Sequence, residues 1–175
     1  MLKILIVEDE PSLAERLKYL IELNPRFEVT NIADDLAGAL TAAEERLPDL
    51  ALVDLQLARG STGFTVAVKL NELDVPVLFT SGKAPSFPMP DLALGCLLKP
   101  YTEEDLVRAL KTAEDLMRGR ECLRPSRPEN LKIYAAANED EAAAPQREDF
   151  LPEPMRTPEP QARSLRHFFS TWLAA

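Results

Sequence analysis

Acidic, hydroxyl and basic side chains follow apolar runs in the first hundred residues of the sequence. In chain order they are Glu8, Asp9, Asp54, Ser81 and Lys99. Carboxylates that lie close together raise each other's pKa unless a cation joins them, and Mg²⁺ prefers such oxygen ligands. With a metal present, Asp54 could attack a phosphoryl group while Ser81 and Lys99 donate hydrogen bonds to its oxygens. Taken singly, each residue could equally be a cap, a turn residue or a surface charge.

Five apolar runs predict the strands that would bring these side chains together. We expect the strands at residues 2–7, 27–32, 50–53, 75–80 and 96–98. Apolar residues at helical spacing follow the first three runs and the fifth. Unbroken apolar runs are typical of strands covered on both faces, so the pattern predicts a parallel sheet between helices. All strand carboxyl ends then lie at one edge of the sheet, which gathers the candidate residues around one crevice.

The helices after the fourth and fifth strands are expected to differ in length. Three prolines lie within residues 84–90, so a regular helix is expected only from about Asp91 onward. After the fifth strand, Thr102 and Asp105 have the spacing of a capping box, with Asp in place of the usual Glu or Gln. They predict a long last helix that ends at Gly119.

Composition excludes several classes of function. The formal net charge of −9 opposes binding to nucleic acid or to anionic membranes. No apolar run approaches the length of a membrane span, and no cleavable signal is recognisable, so a cytoplasmic location is expected. The two cysteines, Cys96 and Cys122, cannot form a metal cluster. The one histidine, His167, lies far along the chain, which excludes histidine triads from the main domain.

The pattern changes after Gly119, where seven of the 15 prolines lie. Residues 120–160 are predicted to be a largely irregular linker rich in proline and charge. Residues 161–175 predict an amphipathic helix with an aromatic face. This helix could dock on its own domain or bind a groove of a partner, and attachment to a membrane surface has the weakest support. No helix-turn-helix pattern is present, so DNA binding is not expected.

Four stretches of the sequence together carry a resemblance to a known family. They are Ile6-Val7-Glu8-Asp9-Glu10, Leu52-Val53-Asp54, Val75-Pro76-Val77-Leu78-Phe79-Thr80-Ser81-Gly82 and Leu97-Leu98-Lys99-Pro100-Tyr101. Over residues 1–119 the sequence resembles the receiver domains of two-component response regulators. The resemblance implies an α/β fold of the flavodoxin-like type, with a doubly wound five-stranded parallel sheet. Here it would have a shortened fourth helix and an irregular C-terminal extension.

The resemblance also implies a role for each candidate residue. Asp54 would accept a phosphoryl group from a sensor histidine kinase or a histidine phosphotransfer protein. Asp9, Asp54 and the backbone carbonyl of Gln56 would bind Mg²⁺, and Glu8 would act on the metal through water.

Ser81 and Lys99 would contact the phosphoryl oxygens in such a protein. The peptide bond between Lys99 and Pro100 is often cis in this family. The side chains of Gln56 and Lys83, which flank the site, would be expected to tune dephosphorylation.

Two departures from the family pattern affect the residues that would transmit phosphorylation to the protein surface. Receivers commonly carry Tyr or Phe three residues before the lysine, and here that position is Cys96. The proline-rich stretch 84–90 also replaces most of the usual fourth helix. The face that normally signals activation would therefore be altered, and the sequence leaves open whether the protein dimerises.

We interpret the sequence as a phospho-accepting response regulator that acts through contact with an unknown downstream protein. Its only catalysis would be residual phosphorylation and dephosphorylation of itself. One alternative is a receiver-like interaction scaffold that works without phosphorylation. The other is a phosphatase with an aspartate nucleophile, but such enzymes carry a second acid where this chain has Gln56. The sequence identifies neither the kinase nor the target, and does not separate an effector from a phosphate sink.

Overall fold

The computed structural model describes residues 1–57, 60–120 and 127–134. Within these ranges the chain forms strands and helices in alternation, and a final strand follows the last helix. They are β1 (Leu2–Val7), α1 (Pro11–Glu22), β2 (Phe27–Ala33), α2 (Leu36–Glu45), β3 (Leu50–Asp54), α3 (Gly63–Asn71), β4 (Val77–Ser81), β5 (Gly95–Leu98), α4 (Glu103–Met117) and β6 (Leu131–Ile133).

The central strands are covered by side chains on both of their faces. Every residue of β3 and β4 is buried, as their unbroken apolar runs predicted. Helix α1, by contrast, buries only one stripe, formed by Ala14, Leu17 and Ile21. Two apolar clusters result, one on each face of the sheet.

The strand order explains how distant parts of the sequence meet. The sheet has the order β2-β1-β3-β4-β5-β6, and the first five strands are parallel. The order 2-1-3-4-5 is that of flavodoxin-like doubly wound sheets, which confirms the predicted fold class. In register, Val7 pairs with Val53, and Asp54 pairs with Thr80. The carboxyl ends of β1, β3 and β4 therefore lie side by side at one edge.

The connection between β4 and β5 contains no helix, although the sequence predicted a short one. We expected a helix from about Asp91, but these residues form a turn in which Leu92 and Ala93 both donate to the carbonyl of Met89, at 3.0 and 3.1 Å. Leu94 then already donates to the carbonyl of Val77, at 2.8 Å. The helix is absent because too few residues separate the last proline of the stretch from β5 to complete two helical turns.

The sheet also gains a sixth strand from the segment that we expected to be irregular. β6 pairs antiparallel with β5, so the sheet is six-stranded rather than five-stranded. Pairing requires Gly95, since a Cβ atom there would lie 2.3 Å from the carbonyl oxygen of Lys132. Leu131 and Tyr134 are both buried, in the clusters on opposite faces of the sheet. A strand of three residues is too short to show a periodicity, which is why the sequence did not indicate it.

Cys96 stands at the position where the receiver domains that the sequence resembles commonly carry Tyr or Phe. Its side chain is fully buried in the same apolar cluster as Tyr134 of the sixth-strand segment. Burial raises the pKa of the Cys96 thiol to about 11, so the thiol stays neutral and unreactive. Cys96 is therefore a packing residue.

The end of the described chain leaves two predictions without a test. The predicted helix at residues 161–175 and most of the predicted linker lie outside the described residues. None of the helices that the structure describes is long and apolar enough to cross a membrane.

Candidate functional site

Three charged side chains from three strand ends meet at the carboxyl edge of the sheet. Lys99 follows β5, and its Nζ lies 2.5 Å from Oδ2 of Asp54 at the end of β3. The same Nζ lies 3.1 Å from Oε2 of Glu8, which follows β1. The Lys99 side chain is 25% exposed, while those of Glu8 and Asp54 are 3% and 8% exposed. One ammonium group is thus shared by two buried carboxylates.

Two buried carboxylates face one ammonium group in this cluster, so the negative charge is in formal excess. Burial raises the pKa of Glu8, the neighbouring charge of Asp54 raises it further, and Lys99 only partly opposes the two. For Lys99, burial alone would lower the pKa, but the hydrogen bond and charge of Asp54, with the charge of Glu8, raise it. The crevice therefore keeps the lysine charged and remains electrostatically favourable for a further cation.

Backbone groups hold Asp54 and Ser81 in place. The Gln56 N–H donates to Oδ1 of Asp54 at 2.9 Å, so the Asp54 carboxylate accepts one bond on each oxygen. The Lys83 N–H donates to the hydroxyl oxygen of Ser81 at 3.2 Å. The Lys99 N–H donates to the Ser81 carbonyl at 2.8 Å, which joins the ends of β4 and β5. Ser81 is thereby placed beside the residue that carries the ammonium group.

Gly63, at the start of α3, is a site feature that the sequence analysis did not assign. A Cβ atom at this position would lie 2.3 Å from the backbone oxygen of Asp54 and 2.7 Å from Cα of Leu55. The Gly63 N–H donates to the Leu55 carbonyl at 3.2 Å. Only glycine allows the helix to approach the end of β3 this closely. In the sequence, Gly63 only precedes an apolar helical stripe, and this pattern does not reveal which backbone lies opposite the glycine.

The predicted metal ligands fit a magnesium ion in chemical type. Asp9 follows Glu8 and is partly exposed, and Gln56 has an exposed side chain and a backbone N–H bonded to Asp54. Within the described residues, no three His, Cys, Asp or Glu side chains are grouped so that they could hold a metal by themselves. Two carboxylates and a carbonyl would leave several positions to water, and Mg²⁺ characteristically keeps several waters. The oxygen-only donor set and the excess negative charge therefore fit Mg²⁺.

The sequence-predicted residues are thus brought together to different degrees. Direct contacts join Glu8, Asp54 and Lys99, and Ser81 is joined to Lys99 through the backbone. Lys83 has an exposed side chain. The peptide bond between Lys99 and Pro100 is cis.

Similarity to known proteins covers the part of the chain that builds this site. The profile of the response regulator receiver domain family matches residues 4–111. Sensory transduction protein LytT of Bacillus cereus is 33% identical over 117 residues, covering 63% of this chain and 46% of LytT. The positive alginate biosynthesis regulatory protein of Pseudomonas aeruginosa is 35% identical over 118 residues, covering 64% of this chain and 47% of that protein. The chain thus spans about half the length of these relatives.

Solved structures agree with the sequence matches. The signal receiver domain of NarL from Mycobacterium tuberculosis superposes with a TM-score of 0.54 at 28% identity. This match covers 68% of the present chain and 98% of that domain.

Proposed function

Because the chain belongs to the receiver domain family of two-component response regulators, we propose that Asp54 is its phosphoryl acceptor. The donor would be a phosphohistidine of a sensor kinase or of a phosphotransfer protein. The observation that carries this proposal is the contact of Lys99 with both Asp54 and Glu8 at the carboxyl edge of the sheet. A buried carboxylate beside a charged lysine is suited to accept a group that brings its own negative charge.

The residues of the site would divide the work of the transfer. A carboxylate oxygen of Asp54 attacks the phosphorus atom, the P–N bond breaks, and the donor imidazole leaves with the electron pair. Lys99 moves from Oδ2 of Asp54 to a phosphoryl oxygen, and the Ser81 hydroxyl donates to another. Meanwhile the Gln56 N–H retains Oδ1 of Asp54. Water later attacks the phosphorus atom, which releases inorganic phosphate and returns the free Asp54 carboxylate.

The proposed metal ligands are Asp9, Asp54 and the backbone carbonyl of Gln56, with Glu8 acting through water. When bound, Mg²⁺ would neutralise charge on the phosphoryl oxygens. Glu8 would at the same time keep Lys99 oriented toward Asp54, because its Oε2 contacts the same ammonium group.

We expect the output to be contact with another protein rather than catalysis or DNA binding. The net charge of −9 disfavours DNA. Large apolar side chains are exposed at Phe64 and Val68 of α3 and at Phe87 in the connection before β5, at 39%, 47% and 66%. They offer apolar surface to a protein partner or to a second copy of the chain. The cytoplasmic location expected from the sequence is part of this proposal.

The test is intact mass after incubation of the protein with Mg²⁺ and acetyl phosphate. We expect the parent to gain one phosphoryl group and Asp54→Asn to gain none. Asp49→Asn is the matched control, because Asp49 precedes the same strand but is exposed and accepts a bond from the Lys3 N–H. Equal gain in the parent and in Asp54→Asn would refute the assignment. If neither small donors nor a histidine kinase phosphorylates the parent, the scaffold alternative replaces it.

A further inference from the structure

Asn130, just before β6, makes contacts with the chain on both sides of the site lysine. Its side-chain Nδ2 donates to the backbone carbonyl of Leu98 at 3.2 Å and to that of Pro100 at 3.3 Å. Its own backbone carbonyl accepts a bond from the Leu98 N–H at 2.9 Å. Leu98 and Pro100 are the two neighbours of Lys99. One residue from outside the family match therefore holds the peptide unit before the lysine and the one that follows Pro100.

These contacts restrict the backbone of Lys99, from which its side chain extends toward Asp54. The Lys99 N–H is itself bonded to the Ser81 carbonyl at 2.8 Å. The backbone is thus held on one side by β4 and on the other by Asn130. Because the backbone of Lys99 sets where its side chain begins, a rotation of this backbone would move the ammonium group away from Oδ2 of Asp54, which now lies 2.5 Å from it.

The segment that contains Asn130 and β6 is anchored by contacts with both faces of the sheet. Leu131 is 1% exposed and Tyr134 is 8% exposed, and they pack into the clusters on opposite faces of the sheet. The Tyr134 N–H donates to the Leu94 carbonyl at 2.9 Å, at the other end of β5. Asn130 is therefore fixed by contacts that do not involve the site.

An asparagine at this position also carries a cost that packing alone does not offset. Its Oδ1 is buried and has no hydrogen-bond partner among the described residues. A buried acceptor without a partner is destabilising, whereas an apolar side chain in its place would avoid this cost. The amide group offsets this cost through its two hydrogen bonds, to the carbonyls of Leu98 and Pro100.

We infer that Asn130 is a positioning residue that holds Lys99 in its phosphoryl-transfer geometry. The inference rests on the proposed function of Asp54 and adds to it a residue beyond the family match. It makes the segment 127–134 part of the phosphorylation machinery. Because coupling between two sites is reciprocal, a change in how this segment docks would alter phosphorylation at Asp54, and phosphorylation would alter its docking.

The first experiment compares Asn130→Ala with Asn71→Ala. Asn71 is a matched control, because its Nδ2 also donates to two backbone carbonyls, those of Leu92 at 2.9 Å and Asp91 at 3.4 Å. We expect the rate of phosphorylation by acetyl phosphate to fall about tenfold in Asn130→Ala and to stay near the parent value in Asn71→Ala. Asn130→Asp, which keeps the shape but removes the donor, should behave like Asn130→Ala.

A double-mutant cycle separates positioning from a general loss of structure. In a Lys99→Ala background, Asn130→Ala should cause no further loss of rate, because the group that it positions is gone. A further loss of the same size as in the parent would overturn the inference, as would equal losses in Asn130→Ala and Asn71→Ala.

A spectroscopic measurement tests the positioning role of Asn130 even if Asp54 is not a phosphoryl acceptor. The side-chain NMR signal of the Lys99 ammonium reports its contact with Asp54 without any phosphorylation. We expect Asn130→Ala to shift and broaden this signal, and Asn71→Ala to leave it unchanged. An unchanged signal in Asn130→Ala would refute the positioning role. Absence of phosphorylation in the parent, together with the expected shift, would refute only the acceptor role of Asp54.

Discussion

At the scale of single residues, the site depends on one ammonium group that serves two buried carboxylates. This differs from the surface ion pair of Lys69 with Glu72, whose side chains are 46% and 57% exposed. Exposed pairs contribute little because water and salt screen them. In the site, removal of the lysine would leave Glu8 and Asp54 buried without a counter-charge. Lys99 should therefore matter for stability as well as for chemistry.

We expect Lys99→Met to lower the free energy of unfolding by about 3 kcal/mol, because two buried carboxylates lose their counter-charge. Urea denaturation at neutral pH without Mg²⁺ measures this loss. The matched control Lys69→Met should change stability by less than about 0.5 kcal/mol, because its ion pair is exposed. A loss in Lys99→Met as small as in the control would mean that Glu8 and Asp54 are stable without the lysine.

At the scale of elements, the start of α4 shows how local sequence determines a helix boundary. The Thr102 hydroxyl accepts a bond from the Asp105 N–H at 3.2 Å, and the Asp105 carboxylate accepts one from the Thr102 N–H at 3.0 Å. This is the capping box that the sequence predicted. The bonds from Thr102 lower the pKa of Asp105 below its usual value. The helix start is therefore stabilised by an ionised carboxylate.

A lowered pKa in the folded state means that the contribution of Asp105 to stability depends on pH. It is fully present above the ordinary Asp pKa and is lost as the pH falls through the lower folded value. We expect Asp105→Ala to cost about 1 kcal/mol at neutral pH, and this difference from the parent to shrink in acid. Chemical denaturation at a series of pH values measures it. Glu103→Ala in the same first turn, which lacks the cap bonds, should cost less; a constant difference for Asp105→Ala across pH would contradict the mechanism.

The connection before β5 shows the opposite case, in which prolines remove an element. Without a fourth helix in this connection, the Asn71 side chain of α3 bonds to the turn and holds it against the sheet. The surface beside β5 is consequently built from a turn and from the added strand β6. A partner that recognises this protein through that surface would therefore contact a turn and β6 rather than a helix.

At the scale of the whole molecule, the domain extends beyond the last helix. β6 covers the edge of β5 and buries Leu131 and Tyr134. An uncovered β5 would present unpaired backbone groups at the edge of the sheet. The sheet therefore includes a strand, β6, that lies beyond the predicted boundary at residue 119.

Truncation tests this extended boundary. We expect a chain of residues 1–134 to be more stable than a chain of residues 1–120 by about 3 kcal/mol, because burial of one leucine and one tyrosine contributes roughly this amount. Thermal and urea denaturation of the two chains measure the difference. Leu131→Ala in the longer chain should reproduce part of it, whereas Lys132→Ala, with an exposed side chain, should not. Equal stability of the two truncated chains would show that β6 contributes nothing.

The sequence by itself determined the features that arise from local patterns. Apolar runs located five strands, Thr102 and Asp105 located the start of α4, and the polar residues at the strand ends indicated a candidate site. These predictions succeed because the apolar pattern of a strand and the side chains of a helix cap both lie within short stretches of the chain. The parallel topology then follows from the alternation of strands and helices, which brings Asp54 and Lys99 to one edge.

Only the tertiary structure decided the contacts that join distant segments. The sharing of Lys99 between Glu8 and Asp54 depends on distances set by three strands together. The close approach of Gly63 to Asp54 and the docking of Asn130 beside Lys99 leave no periodic signal, because each depends on one residue meeting a surface that other segments build. Local patterns specify elements, whereas the shape of the site arises only when the elements pack.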